Sequence, residues 1–335
     1  MSFFAVLIAL LIEQAKPLAQ GNPIHASLRA WARWAARNCD AGKPRHGWIT
    51  WVLATCVPAL VAAGVYWLLV WLAGWLVAML WNVLVLYATL GFRQFSHHFT
   101  AIRDALEAGD EDKARELLAA WQQVDASELP RSEIVRHVIE YSVLAAHRHV
   151  FGVLGWFAVL SACGLGPAGA VLYRMSEFVC RYWKYTNSRA LLAVKQPASE
   201  ALQQAARQAW TVIDWLPSRV TALGFAVVGS FEDAIDGWRN HAERFPNDND
   251  GVVLAATSGA INVRLGGEAL KARFSANTSQ SFQSGSSPED LTDTESTPGR
   301  EPEAAHLRSV VGLVWRSVVL WMGLLALLTL ARLLG

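Results

Sequence analysis

Residues 48–92 contain no charged side chain, and that run decides most of what this chain can become. A bilayer's hydrocarbon core needs about 20 apolar residues per helix. The run is therefore long enough for two crossings, with a tight reversal at Ala73-Gly74-Trp75. Trp48, Trp51, Trp71, Trp75 and Trp81 fall near the expected ends, where amphipathic rings favour the headgroup layer. A buried hairpin in a soluble protein would carry a polar stripe along helices of this length, and none is present.

The composition agrees. Of 335 residues, 53% are hydrophobic and 17% charged, against roughly a quarter charged in soluble domains. That excludes wholesale disorder and a fibrous repeat. The four cysteines, Cys39, Cys56, Cys163 and Cys180, lack C-x-x-C spacing, which argues against zinc and against a disulfide scaffold. A formal net charge of +1 gives no basis for a nucleic-acid partner.

A further crossing is expected over residues 309–334, interrupted by Arg316 and ending near Arg332. Arg316 suits snorkelling or an interhelix contact. Residues 3–12 are apolar but short, and they lack the basic start and small-residue cleavage site of a removable signal. They read as an anchor helix extending through Leu18. Residues 150–173 are apolar but broken by Gly164-Leu165-Gly166-Pro167. Arg136 and Arg148 precede them; Arg174, Arg181, Lys184 and Arg189 follow. A simple crossing would put one basic flank on the wrong side of the membrane, so a broken or re-entrant helix pair is expected. Residues 220–231 cover about half a span and read as a buried or interfacial helix.

The polar regions also read as helical. Gly109 ends one helix and Asp110 caps the next, and Ser132 is placed to cap a helix carrying His137, Glu140 and Tyr141. Residues 198–213 form an amphipathic helix. From 275 to 303 the composition turns to Ser, Thr, Gln, Pro, Asp and Glu, too polar to offset the entropy of ordering. The organisation is then an anchor helix and basic loop (1–46), a transmembrane hairpin (47–92), a cytoplasmic helical region (93–148) and the broken segment (149–190). A second helical region (191–274), a disordered linker (275–308) and a C-terminal transmembrane helix (309–335) complete it. The fold class is all-α, a polytopic membrane protein of about four spans.

No phosphate-binding P-loop, dinucleotide glycine pattern or G-x-S-x-G motif is present. His97-His98 and the group His137, His147 and His149 lack the other donors that a closed metal site needs, so no metal ligands are assigned. More informative is Asn247-Asp248-Asn249-Asp250-Gly251, a loop rich in turn-forming residues. Ala255, Ala256, Ser258, Gly259 and Ala260 follow, small enough for close helix packing. Arg264 beside Gly266-Gly267 then offers a bidentate cation next to backbone donors, suited to phosphate or carboxylate. A packed helix with a glycine stop is the alternative reading of the same residues.

At these residues the chain resembles the CobD/CbiB family of cobalamin-biosynthesis membrane proteins. Asn249-x-Gly251 with Val263-Arg264-Leu265-Gly266-Gly267 is similar to its C-terminal signature. Glu13 with Gly21-Asn22-Pro23-Ile24-His25 resembles the family's D…GDP…HP pattern. Ala105-Leu106-Glu107-Ala108-Gly109-Asp110 with Ala114-Arg115-Leu117, Gly166-Pro167 with Tyr173-Arg174, and Pro217-Ser218-Arg219-Val220-Thr221-Ala222 match further family stretches in order. The likeness covers residues 1 to about 267.

The resemblance implies joining aminopropanol, or its phosphate, to a propionate carboxylate of adenosylcobyric acid, with ATP and Mg²⁺ as co-reactants. It implies an inner-membrane location, with a corrinoid substrate and the lipid bilayer as partners. A second copy or another membrane protein stays open as a further partner. The resemblance carries a substrate site onto His25, Arg174, Arg219, Asn249, Arg264, Gly266 and Gly267, and it leaves Glu140, Glu177 and Asp250 as the carboxylates for catalysis. The chain departs from the family where an E-N-x-x-D-G run is replaced by Ala146-His147-Arg148-His149-Val150-Phe151-Gly152. It departs again where A-V-N-T-L-D is replaced by Met175-Ser176-Glu177-Phe178-Val179-Cys180. Losing a metal-binding carboxylate weakens transition-state charge stabilisation, so a catalytically degenerate form is a second expectation. Asp214-Trp215-Leu216-Pro217-Ser218-Arg219 also resembles AmpE, which implies the alternative of a non-catalytic signalling or scaffold protein.

Overall fold

The computed structural model describes residues 2–16, 23–122, 125–190, 198–267 and 296–334. Among them the chain is helical, with one isolated parallel bridge and no strand. The helices are α1 (Ser2–Ala15), α2 (Pro23–Cys39), α3 (Pro44–Ala73), α4 (Trp75–Thr89), α5 (Phe92–Glu107), α6 (Glu111–Gln122) and α7 (Arg131–Ala146). They continue with α8 (Gly152–Ala162), α9 (Ala168–Ala190), α10 (Glu200–Val228), α11 (Phe231–His241), α12 (Asp248–Ile261) and α13 (Ala304–Leu334). A π-helical turn, His147–Phe151, joins α7 to α8. Four stretches are long and apolar enough to cross a membrane: Pro44–Ala73, Arg131–Ala162, Glu200–Val228 and Ala304–Ala331. The protein is an all-α membrane protein. It divides into two compact units, Met1–Arg93 with Arg148–Pro217 and Met322–Gly335, and Gln94–His147 with Ser218–Trp321.

In the first unit, α3 and α4 form the expected hairpin, though α4, at 15 residues, falls short of the second crossing expected; they reverse at Gly74, whose φ of +83° suits glycine. Pro58 lies inside α3 without breaking it. A proline removes the N–H that would bond the carbonyl four residues back, here that of Ala54. The indole N–H of Trp31 on α2 donates to that carbonyl at 3.2 Å. Pro217 inside α10 is handled the same way: the Trp156 indole donates to the Ile213 carbonyl at 3.0 Å. Once a neighbour satisfies the freed carbonyl, an apolar helix can run through a proline.

That second substitution of partners explains one departure from the sequence reading. Residues 198–213 and 220–231 were expected as separate elements, the latter only half a span. Through residue 228 they instead form one helix through Pro217, long enough to cross. Its start is fixed by Ser199, whose hydroxyl accepts from the Leu202 N–H at 3.1 Å while Asp40 accepts from both its N–H and its hydroxyl. The broken segment is a helix pair, α8 and α9, reversing where Gly164 and Gly166 take φ values of +82° and +54°. A Cβ on Gly166 would stand 2.5 Å from the Tyr66 ring.

In the second unit, α11 and α12 pack closely enough that a Cβ on Gly259 would overlap the Asp233 carbonyl. α12 is buried along almost its whole length, as its run of small residues requires. Asp110 caps α6 as expected, its carboxylate accepting from the Lys113 N–H at 3.1 Å. Ser132 is not the cap of α7. The helix starts one residue earlier, behind Pro130, whose φ of −68° is the value its ring imposes. Arg316 donates to the Gly312 carbonyl one turn back on its own helix.

The linker reading also needs correction. Residues 268–295 lie outside the described residues, but 296–303 are tied down. Val263 pairs with Arg300 in an isolated parallel bridge, the Arg264 N–H donating to the Arg300 carbonyl at 2.8 Å and the Arg300 N–H to the Asn262 carbonyl at 3.3 Å. Residues 304–308 already belong to α13. A polar segment can order where a neighbouring loop offers unpaired backbone groups, which composition does not reveal.

Candidate functional site

The second unit builds its site on α7, α12 and the loop after α12. Arg136 and His137 each lie three or four residues from both Glu133 and Glu140, so the four share a face of α7. Arg136 is 3% exposed. It pairs with Glu133, donates to Glu140 at 3.1 Å and donates to His137 Nε2 at 3.0 Å. The Glu140 carboxylate also accepts the Gly266 N–H at 2.7 Å. The Arg136 guanidinium lies against Gly267, where a Cβ would be 3.8 Å from its Cζ.

This geometry corrects one expectation. The Gly266 backbone donor, read as a cradle for a ligand anion, is occupied by the chain's own carboxylate. Glu140 is accordingly an anchor for the loop rather than an unencumbered base. Sequence reasoning took Arg136 only as a basic flank of the apolar segment, although the Glu133–Arg136–Glu140 spacing was visible.

The loop is fastened from its other side by Ser258 and Thr297. The Ser258 hydroxyl lies 2.7 Å from the Val263 carbonyl and 2.6 Å from Thr297 Oγ1. Thr297 Oγ1 accepts from the Leu265 N–H at 2.9 Å, and its own N–H donates to the Leu265 carbonyl at 2.7 Å. Residues 263–267 are thus held between α7, α12 and the 296–300 segment. The Arg264 side chain projects from this fixed loop, exposed, and no acid pairs with it among the described residues.

Arg219 and Asn249, two of the candidate substrate-site residues, meet: Arg219 donates to Asn249 Oδ1 at 3.0 Å. Asn249 and Asp250 are both buried, and Asp250 accepts from Asn247 at 3.1 Å. Beside Arg219 on α10, Thr221 meets His147 Nδ1 at 2.9 Å, with both side chains buried.

The first unit holds the remaining candidates. Arg174 and Glu177 lie one turn apart on α9. Arg174 donates to Glu177 at 2.7 Å, and Arg181 approaches the other carboxylate oxygen at 3.2 Å. Glu177, 5% exposed, therefore has each of its carboxylate oxygens engaged by a guanidinium group. Tyr173 donates to Asp214 at 2.7 Å, both fully buried. Asp214 in the largely apolar stretch 209–217 was the signal for that pair. His25 stands in the first turn of α2, and its side chain lies outside the described residues.

The donor set does not fit a Mg²⁺ ion held by these carboxylates. Glu140 and Glu177 are each committed to guanidinium groups, and no group of three or more metal-ligating side chains gathers among the described residues. What the arrangement offers is cationic and amide donors fit for anions, at Arg219 with Asn249 and at Arg264.

The family model described as CobD/Cbib protein matches residues 3–296. A "Cobalamin biosynthesis protein CobD" of Stutzerimonas stutzeri (strain A1501) is 30% identical over 333 residues, 96% of this chain and 95% of that protein. One of the same name from Chromobacterium violaceum is 34% identical over 187 residues, covering 56% of this chain and 55% of that protein. Another, from Leptospira interrogans serovar Lai, is 25% identical over 276 residues, 78% of this chain and 80% of that protein. No solved structure matches the chain. Of the two resemblances read from the sequence, these matches support the first, and the chain belongs to the CobD/CbiB family.

Proposed function

We propose that this protein acts in cobalamin biosynthesis, joining aminopropanol or its phosphate to a propionate carboxylate of adenosylcobyric acid through an amide bond. The observation that carries the reading is the whole-length likeness to a protein named for that pathway, 30% identical across 96% of the chain. The four helices able to cross a membrane support a multi-pass protein of the bacterial inner membrane.

Both reaction partners are anionic when the amine arrives as its phosphate ester. Cations that hold the phosphate and the carboxylate close together would lower their mutual repulsion and supply orientation. Arg264, exposed on a fixed loop without an acid partner among the described residues, suits that role. Arg219, oriented by Asn249 at 3.0 Å, suits it as well. ATP and Mg²⁺ are the co-reactants that the family resemblance implies for activating the carboxylate.

The test is complementation of a bacterium lacking its own cobinamide-phosphate synthase. The wild-type chain should restore cobinamide-phosphate formation, Arg264→Ala should abolish it, and Arg264→Lys should restore it in part. Failure of the wild-type chain, with the protein present in the membrane fraction, would overturn the proposal.

A further inference from the structure

The first unit contains a cavity of about 770 Å³, within the ~300–1,000 Å³ of small-molecule sites. Its walls are apolar: Pro58 and Val61 from α3, Trp81 and Leu84 from α4, Phe178 from α9. Among the described residues no carboxylate lines it. Its charged lining residues are three arginines, Arg29 on α2 and Arg174 and Arg181 on α9. Glu177 offsets one of these charges, accepting from Arg174 and ion-paired with Arg181, which leaves the cluster with an excess of positive charge.

Two of the three cations reach the surface, as do the apolar walls at Val61 and Leu84. Arg181 is 58% exposed and Arg29 is exposed, whereas the Ala32 and Ala35 face of α2 is buried. Arg29 begins a row with Arg33 and Arg37, one turn apart and all exposed. Trp34, 48% exposed on the same helix, stacks on Trp31 with ring centroids 5.0 Å apart. Basic residues beside exposed indoles suit the headgroup layer of an anionic bilayer.

A hydrocarbon-lined chamber with a cationic rim matches an amphiphile that carries a long apolar part and an anionic head. A corrinoid does not match it, because apolar walls would leave its peripheral amides and carboxylates without partners. We propose that this cavity binds one anionic phospholipid, its acyl chain lying against α3 and α4 and its phosphate between Arg29 and Arg181. The proposal stands apart from the corrinoid reading, since its readout is lipid retention and not synthase activity.

Native mass spectrometry of the full-length protein tests it, with phosphatidylglycerol and phosphatidylcholine of identical chains as competing probes. Wild type should retain phosphatidylglycerol in about tenfold preference, which a modest charge-pairing energy would produce. Arg29→Ala combined with Arg181→Ala should remove the preference, and Arg103→Ala, in the other unit, should leave it intact. Val61→Trp should fill the chamber and lower retention of both lipids. If that variant fails to fold, brominated phosphatidylglycerol should quench wild-type fluorescence more than brominated phosphatidylcholine does, and Trp81→Phe should abolish the difference. Equal retention of both lipids by wild type, or displacement of phosphatidylglycerol by inorganic phosphate, would overturn the proposal.

Discussion

At residue scale, two indoles decide whether prolines can stand inside apolar helices. The Ile213 carbonyl, freed by Pro217, has the Trp156 N–H as its donor. Trp156→Phe should therefore orphan it at a cost of about 1–3 kcal/mol. In a Pro217→Ala background the new backbone N–H serves that carbonyl, so the same change should cost much less. A double-mutant cycle read by denaturant unfolding in detergent should show this coupling; additive effects would contradict it. Glu140 makes a second case. Glu140→Ala removes the acceptor for Gly266 and a partner of the buried Arg136, and breaking a buried pair costs about 3–5 kcal/mol. Glu140→Gln keeps an acceptor oxygen and should cost clearly less, as thermal unfolding of the two variants would show. The α7 half of this network was legible from three- and four-residue spacing. Gly266 was not, because it lies 126 residues further along the chain.

At the scale of elements, local signals did well where the cause was local. The uncharged hairpin, the break at Gly109-Asp110 and the reversal near Gly164 follow from apolar runs, caps and glycines, and each stands where those residues put it. Sequence reading failed where a partner from elsewhere overrode a local rule, as with α10 running through Pro217. Small residues carry the same ambiguity, since glycine reads alike whether it fits a contact or merely weakens a helix. Two positions separate these roles. Gly259 faces the Asp233 carbonyl, whereas a Cβ on Gly64 would meet nothing within 4 Å. Gly259→Ala should destabilise by about 1–3 kcal/mol through overpacking. Gly64→Ala should be neutral or stabilising by roughly 0.5–1 kcal/mol. Melting temperatures moving in the same direction for both variants would show that packing against α11 is not what selects Gly259.

At the scale of the whole molecule, the family match and the described structure meet at one place. The matched region ends at residue 296, where the chain returns to dock on the 263–267 loop. Thr297 makes that return specific by bonding both the N–H and the carbonyl of Leu265 and meeting Ser258 at 2.6 Å. Composition predicted disorder here because Ser, Thr and Pro bury little surface, yet ordering is offset by backbone groups that would otherwise lack partners. The cation on Arg264 is thereby presented from a loop that distant segments hold in place. Thr297→Val keeps the side chain's volume while deleting its hydroxyl. It should release the Leu265 amide, raising its hydrogen-exchange rate by about tenfold or more for a lost bond network of at least 1.4 kcal/mol. The amides of α8, in the other unit, should exchange as before. If the loop is what positions Arg264, complementation should weaken in step with the loss of protection, although Thr297 itself touches no proposed ligand. Unchanged protection at Leu265 would mean that Ser258 and Glu140 hold the loop without the returning segment.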